Sequence, residues 1–146
     1  DLHYFARKSL FKGLLGKLIT AFNSIPVDRG SADVSSFKKA LKVLDKGSPL
    51  LVFPEGTRSL DGSLQAAKAG VGLIAIKARV PVLPARVIGG FEILGKGCKW
   101  PKIGKRLTIV YGPLLQIETL DPGPKTAKRS QIVADAIMEA IGKLRD

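Results

Sequence analysis

The 146-residue sequence contains one cysteine, Cys98, and one histidine, His3. A single cysteine cannot close a disulfide within the chain, so nothing in the sequence requires an oxidising compartment. Cys98 has no histidine near it, which makes it a poor candidate for a nucleophile. No group of cysteine, histidine and aspartate has metal-ligand spacing, so the sequence predicts no metal site.

Long apolar runs are also absent. No uncharged stretch approaches the roughly 18 apolar residues needed to span a bilayer, and no signal peptide is evident. Hydrophobic residues make up 45% of the chain and charged residues 25%, which is typical of a packed globular domain. We expect residues 1–146 to form a single domain of a longer protein, incomplete at its N-terminus, because the chain starts with Asp1 rather than methionine.

Acidic residues are few: 12 Asp and Glu stand against 24 Lys and Arg, which gives a net charge of +12. Such a surface attracts nucleic acid, anionic lipid head groups or phosphorylated small molecules. Aromatic residues are only 6% of the chain and mostly lie within apolar runs. Nucleic-acid modules usually place exposed aromatics among their basic residues, so the composition disfavours nucleic acid without excluding it.

Short apolar strands alternate with helices along the chain, which predicts an α/β fold with a largely parallel sheet flanked by helices. The predicted strands are residues 24–27, 49–53, 82–87 and 107–111. The predicted helices are residues 5–22, 33–45 (with Asp33 or Ser31 as N-cap), 66–78 and 126–144. Residues 89–104 are predicted to be a long surface loop.

The predicted helix 5–22 has an apolar stripe, with Lys8, Lys12 and Lys17 off the stripe. It either packs on its own domain with its lysines in water, which we favour, or also contacts an anionic membrane.

The most informative stretch is L-L-V-F-P-E-G-T-R-S at residues 50–59, where a buried strand enters a tight loop. Ligands of open α/β sheets bind beyond the carboxyl ends of strands. Gly56 allows close backbone approach, and Arg58 offers a planar fork for two phosphate oxygens. Thr57 offers a hydroxyl, while Glu55 could hold an arginine or accept a substrate hydroxyl. The residues by themselves leave two interpretations open, a small anion site or a solvated turn.

The block F-P-E-G-T-R-S at residues 53–59 resembles one found in glycerolipid acyltransferases, and among them in the 1-acylglycerol-3-phosphate (lysophosphatidate) acyltransferases. I-P-V-D-R at residues 25–29 is similar to the family block that ends in a substrate-contacting arginine. V-P-V-L-P-A-R at residues 80–86 is similar to a proline-bracketed strand of the family. Order and spacing agree over about residues 2–115, which favours the enzyme over a solvated turn.

The resemblance implies a glycerol-phosphate acyltransferase-like fold and transfer of a fatty acyl group to the free hydroxyl of lysophosphatidic acid, giving phosphatidic acid in phospholipid biosynthesis. The donor would be a thioester, acyl-CoA or acyl carrier protein, used as co-substrate, with no cofactor. The implied substrate-binding residues are Arg29, Glu55, Gly56, Thr57 and Arg58. The residues implied on the acyl or thioester side are Pro81, Val82 and Pro84. The implied location is an anionic membrane surface on the cytoplasmic face, with no nucleic-acid partner.

One family block, H-x-x-x-x-D, is missing, because His3 is followed five residues on by Lys8. The resemblance therefore implies no catalytic residue in this chain and places the His/Asp pair upstream of Asp1. His3 is interpreted as an ordinary histidine.

Residues 96–106 contain four lysines, an arginine and Trp100 but no acid. This segment fits either contact with an anionic membrane interface or a solvated, glycine-rich loop, and we hold both open. The alternative to an enzyme is that the whole chain is a non-catalytic basic module that binds anionic membrane or nucleic acid through its charge.

We expect these 146 residues alone to transfer acyl groups far more slowly than a longer chain that carries the H-x-x-x-x-D block, since general-base help contributes about 10²–10⁴ in rate. Parallel assays of the two chains with a thioester donor and lysophosphatidate measure this. Equal rates would contradict the expectation.

Overall fold

The computed structural model describes residues 1–27, 33–98 and 100–145. The strands are β1 (His3–Arg7), β2 (Ser24–Val27), β3 (Leu50–Leu51), β4 (Ala85–Ile88) and β5 (Thr108–Tyr111). The helices are α1 (Gly13–Ala21), α2 (Val34–Asp45), α3 (Ala69–Ala78), α4 (Gly90–Leu94), α5 (Ile117–Leu120) and α6 (Arg129–Lys143). The chain divides into two compact units, Asp1–Val52 and Phe53–Asp146. The single domain expected for residues 1–146 stays a prediction.

The first unit is built on a parallel sheet with strand order β2-β1-β3. In its register Phe5 lies opposite Ile25, and His3 lies opposite Leu50. Helix α1 connects β1 to β2, and α2 connects β2 to β3, as parallel strands require. Pro26 lies in β2, an edge strand, where its missing N–H is tolerated. The predicted α/β fold with a parallel sheet flanked by helices is confirmed.

The prediction of one helix over residues 5–22 is wrong in its first half. Residues 3–7 form the central strand β1, Lys8–Leu10 form a single 3-10 turn, and α1 begins only at Gly13. Strands on both edges shield β1, so neighbouring apolar residues such as Tyr4 and Phe5 can both be partly buried. Only the second half of the predicted segment, which contains α1, has apolar residues at the helical spacing of three and four.

Asp33, one of the two predicted N-caps, caps α2, and the other, Ser31, lies outside the described residues. Asp33 Oδ1 accepts a hydrogen bond from the backbone N–H of Ser36 at 3.1 Å. The Ser36 hydroxyl is buried and lies 2.5 Å from both the Pro26 carbonyl oxygen and Asp33 Oδ2. One side chain thus links the beginning of α2 to β2.

The second unit has its core between α3 and α6. The buried core residues are Ala75, Ile76, Ile117, Val133, Ile137 and Ile141. β4 and β5 form an antiparallel pair, which the sequence did not indicate. Arg86 in β4 donates through Nη1 to the carbonyl oxygens of Gly142 and Leu144 at 3.2 and 2.8 Å. These bonds join β4 to the end of α6, where carbonyls lack helical partners.

Two short helices were not predicted. α4 lies inside the expected loop 89–104, and α5 follows β5. They contain five and four residues, too few for a helical period to show in the sequence.

The beginning of α6 is held by an ion pair between Arg129 and Asp121. The hydrogen-bonded Arg129 guanidinium lowers the pKa of Asp121 to about 2. Because the pKa is lowered, the pair contributes to stability at neutral pH. That contribution is lost as the pH falls from the ordinary pKa of an aspartate towards about 2.

Close packing of α3 on α6 depends on Gly72. A Cβ at this position would lie 2.0 Å from the Ser130 carbonyl oxygen and 2.9 Å from the Ala134 nitrogen. We expect Gly72→Ala to lower the free energy of unfolding by about 1–3 kcal/mol through overpacking. Urea denaturation followed by circular dichroism measures the change.

Gly70 is the matched control in the same helix, because a Cβ there would meet nothing within 4 Å. Gly70→Ala should change stability by less than about 1 kcal/mol, in the stabilising direction. Equal effects of the two substitutions would contradict the close approach of the helices at Gly72.

Candidate functional site

The block F-P-E-G-T-R-S begins with a tight turn. The backbone N–H of Gly56 donates to the Phe53 carbonyl oxygen at 3.0 Å, and Gly56 has a φ of +67°. This left-handed conformation favours glycine, because a Cβ would be strained there. The backbone turn is therefore one reason for glycine in the block.

Two hydrogen bonds close the loop that follows this turn. Glu55 Oε2 accepts the backbone N–H of Gln65 at 2.8 Å. The backbone N–H of Lys68, just before α3, donates to the Pro54 carbonyl oxygen at 2.8 Å. Glu55 was expected to hold an arginine or accept a substrate hydroxyl, and the structure shows one of its oxygens fixing the loop. We call residues 53–68, closed in this way, the E-G-T-R loop.

The middle of the E-G-T-R loop is a chain of polar turns. The Ser59 hydroxyl accepts the Gly62 N–H at 2.9 Å, and Asp61 Oδ1 accepts the Ser63 N–H at 2.9 Å and its hydroxyl at 2.6 Å. The hydrogen bonds from Ser63 lower the pKa of Asp61. Asp61, Ser63 and Gln65 were not predicted as loop-forming residues, although D-G-S at residues 61–63 is a turn pattern that could have indicated the first two.

Arg58 is exposed and has only weak partners. Its Nη1 lies 3.4 Å from the Leu94 carbonyl oxygen and 3.3 Å from that of Gly95, at the end of α4. No carboxylate of the described residues forms an ion pair with it. Thr57 is also exposed. The guanidinium is thus loosely oriented by two carbonyls and has donors left for an anion.

Arg29 lies among residues 28–32, outside the described residues. Its predicted action together with Arg58 on one substrate phosphate stays a prediction.

The predicted acyl or thioester side contributes to the fold of the second unit. Val82 pairs with Leu115 through backbone hydrogen bonds of 2.9 and 2.8 Å and packs against the core. Pro84 is fully buried, and its carbonyl accepts the Gly112 N–H at 2.9 Å, while Pro81 is exposed. The strand predicted over residues 82–87 is Ala85–Ile88 in the structure, since Pro84 has no N–H to donate to the hydrogen bonds of a β-sheet. Acyl contact by these three residues stays a prediction.

His3 lies in β1, where its Nδ1 is 3.1 Å from the Asp1 carbonyl oxygen. Over residues 1–27, 33–98 and 100–145, no group of three or more His, Cys, Asp or Glu side chains could hold a metal ion. None of the helices in these ranges combines the length and the apolar character of a membrane-spanning helix.

Comparison with known proteins identifies the family, since its acyltransferase model matches residues 1–88. The chain belongs to the acyltransferase family. It is 39% identical over 87 residues to a 1-acyl-sn-glycerol-3-phosphate acyltransferase of Limnanthes douglasii, covering 58% of this chain and 31% of the relative. It is 32% identical over 119 residues to the enzyme of that name from Bacillus subtilis, covering 81% of this chain and 57% of the relative.

A solved structure shows the same fold. The crystal structure of the 1-acyl-sn-glycerophosphate (LPA) acyltransferase PlsC from Thermotoga maritima matches with a TM-score of 0.73 and 24% identity. The match covers 97% of this chain and 56% of that one. The chain therefore spans between about a third and just over half of the length of these acyltransferases. The family resemblance drawn from residues 53–59 and the flanking blocks is confirmed.

The structure predicts that Glu55 supports the E-G-T-R loop. Glu55→Ala should speed hydrogen exchange of the Gln65 amide by at least about tenfold, because a hydrogen bond to a charged acceptor contributes about 1.5–3 kcal/mol. Hydrogen exchange followed by NMR measures this amide directly.

Glu55→Gln is the control, since its side-chain carbonyl can still accept the Gln65 N–H. It should retain most of the protection. If Glu55→Ala leaves the Gln65 amide as protected as before, the carboxylate does not hold the loop.

Proposed function

We propose that this chain is the phosphate-binding part of an enzyme that transfers a fatty acyl group to the free hydroxyl of lysophosphatidic acid, giving phosphatidic acid. The donor is an acyl thioester, on coenzyme A or acyl carrier protein, and acts as co-substrate. Support comes from the family and from relatives named 1-acyl-sn-glycerol-3-phosphate acyltransferases.

The observation that carries the proposal is that Arg58 is available to bind an anion. Its guanidinium is exposed, has no carboxylate partner among the described residues and stands on a loop closed by Glu55 and Lys68. A planar guanidinium can donate two parallel hydrogen bonds to a phosphomonoester. Fixing the loop before binding reduces the ordering cost when the substrate arrives.

The other predicted residues have separate roles in this proposal. Thr57 offers its exposed hydroxyl to the phosphate or glycerol, and Gly56 sets the turn that places it. Arg29 supplies a second guanidinium. Pro81, Val82 and Pro84 stay assigned to the acyl or thioester side, with the buried Pro84 acting by supporting its neighbours rather than by contact.

In the chemical step the substrate hydroxyl attacks the thioester carbonyl, a general base takes its proton, and the thiolate leaves. A histidine oriented by an aspartate suits this role, and the proposal assigns both to the H-x-x-x-x-D block upstream of residue 1. The described residues contribute by holding the phosphate, which fixes the position of the hydroxyl and so raises the rate through proximity.

The enzyme is proposed to work at the cytoplasmic face of an anionic membrane, because its substrate and product are lipids and the net charge of the chain is +12. The same charge favours the rival hypothesis, a non-catalytic basic module that binds anions without a specific site.

Arg58→Ala separates the two hypotheses. We expect it to weaken binding of a short-chain, water-soluble lysophosphatidate by about tenfold or more, because charge-assisted hydrogen bonds contribute about 1.5–3 kcal/mol. Arg58→Lys should recover only part of the affinity, since an ammonium lacks the planar fork. Titration calorimetry with the full 146-residue chain measures each affinity.

Arg145→Ala is the matched control, because it removes one positive charge from an exposed residue at the other end of the unit's sequence. The proposed site predicts almost no change for this variant. Equal, small losses for Arg58→Ala and Arg145→Ala would support the charge-only module and overturn the site.

A further inference from the structure

The most exposed large apolar side chains of the second unit stand on residues 96–106, which we call the basic loop. Ile103 is 98% exposed and Trp100 is 82% exposed. Water-facing side chains of this size cost free energy unless another surface covers them. The position of these two residues on one loop suggests a partner for that loop.

The charge around this apolar pair has one sign. Lys96, Lys102, Lys105 and Arg106 are all exposed, and none forms an ion pair with a described residue. No acidic residue occurs in the sequence between Glu92 and Glu118. The basic loop therefore presents a tryptophan and an isoleucine among four cations that have no ion-pair partner in the described part of the chain.

Backbone contacts fix the loop to α4 and to the residues that flank it. The Lys102 N–H donates to the Ile93 carbonyl oxygen at 2.8 Å, and the Cys98 N–H donates to that of Gly95 at 3.1 Å. At the other end Gly89 packs so tightly that a Cβ there would lie 2.2 Å from the Arg106 carbonyl oxygen. The loop is thus anchored at several points, and its two large apolar side chains are still exposed.

We propose that the basic loop docks on an anionic lipid bilayer, with Trp100 and Ile103 entering the head-group region and the surrounding lysines contacting lipid phosphates. Tryptophan prefers this interface, and each nearby lysine or arginine strengthens attraction to anionic lipid. The inference rests on the membrane location in the proposed function and names the surface responsible for it.

A bilayer fits the loop better than nucleic acid does. Isoleucine has no aromatic face for stacking on a base, whereas it gains from leaving water for the apolar side of the interface. The loop also begins beside the candidate site, since Arg58 Nη1 lies 3.3 Å from the Gly95 carbonyl oxygen. Docking there would bring the membrane close to the guanidinium that the proposed lipid substrate must reach.

Trp100 is the only tryptophan of the chain, so its fluorescence reports on the loop directly. The full chain is titrated with vesicles made of equal parts phosphatidylcholine and phosphatidylglycerol, and with vesicles of phosphatidylcholine alone. We expect binding and a blue shift of the emission with the anionic vesicles, and little of either with the neutral ones. Binding without a blue shift would show that another surface docks and would overturn the inference.

Substitutions test the two parts of the surface by vesicle sedimentation. Replacing Lys96, Lys102 and Lys105 with Gln should weaken binding to the anionic vesicles by at least about tenfold. Replacing the exposed lysines Lys38, Lys39 and Lys42 of α2 with Gln removes the same charge and should weaken it much less. Equal losses in the two triple variants would overturn the assignment to the loop.

The apolar part is tested with Trp100→Ala combined with Ile103→Ser, which should also weaken vesicle binding by about tenfold or more. Leu114→Ala, at a residue that is exposed outside the loop, is the control and should bind as before. If the double variant and Leu114→Ala both lose vesicle binding, or if neither does, the role of the apolar pair is overturned. So would a blue shift produced by duplex oligonucleotide and not by the anionic vesicles.

The proposal for the docking surface and the proposal for the phosphate site can be refuted independently of each other. If both hold, the loop variants keep their affinity for short-chain lysophosphatidate, and Arg58→Ala keeps its binding to vesicles. Normal vesicle docking with no effect of Arg58→Ala on lysophosphatidate binding would overturn the site and leave the loop assignment standing.

Discussion

The geometry of the candidate site depends on two hydrogen bonds that close the E-G-T-R loop. One joins the Glu55 carboxylate to the Gln65 N–H, and the other joins the Pro54 carbonyl to the Lys68 N–H. Lys68 directly precedes α3, and α3 packs on α6 in the core of the second unit. The position of Arg58 is therefore set through the loop by the packing of these helices, although Arg58 itself is exposed and only weakly bonded. A tightly packed helix pair supports a side chain that stays available to a ligand.

The residues of the F-P-E-G-T-R-S block consequently divide into two groups. Glu55 and Ser59 accept hydrogen bonds within the loop, and Gly56 adopts the left-handed backbone conformation that its turn requires. Thr57 and Arg58 remain exposed. Loss of activity on changing Glu55 would thus be no proof that its carboxylate contacts substrate, because the change also releases the loop. The two groups can be separated only by measuring loop order and ligand affinity on the same variant.

Local sequence signals predicted the elements that local interactions determine. Asp33 as the cap of α2, the strand β2 and the body of α6 follow from side chains within a few residues of each other. Residues 5–7 were predicted as helix although they belong to β1, because the burial of β1 comes from strands far along the chain. Helices α4 and α5 are too short to show a helical period in the sequence. The composition of the candidate site could be predicted from residues 53–59. The sequence could not predict which polar atoms of the site already have hydrogen-bond partners, because the partners of Arg58 lie 36 and 37 residues away.

Two kinds of cation serve the proposed function, and their chemistry suits different tasks. Lysine ammonium groups on an exposed loop are point charges that attract many lipid phosphates and are screened by salt. A guanidinium oriented by carbonyl groups can select the geometry of one phosphomonoester. An enzyme at a membrane meets a large excess of lipid phosphates that are not its substrate, so a single kind of cation would bind the surface and the substrate alike. In the proposed function, separating attraction to the surface from selection of the head group would let the chain hold the bilayer while Arg58 stayed free for the lipid substrate.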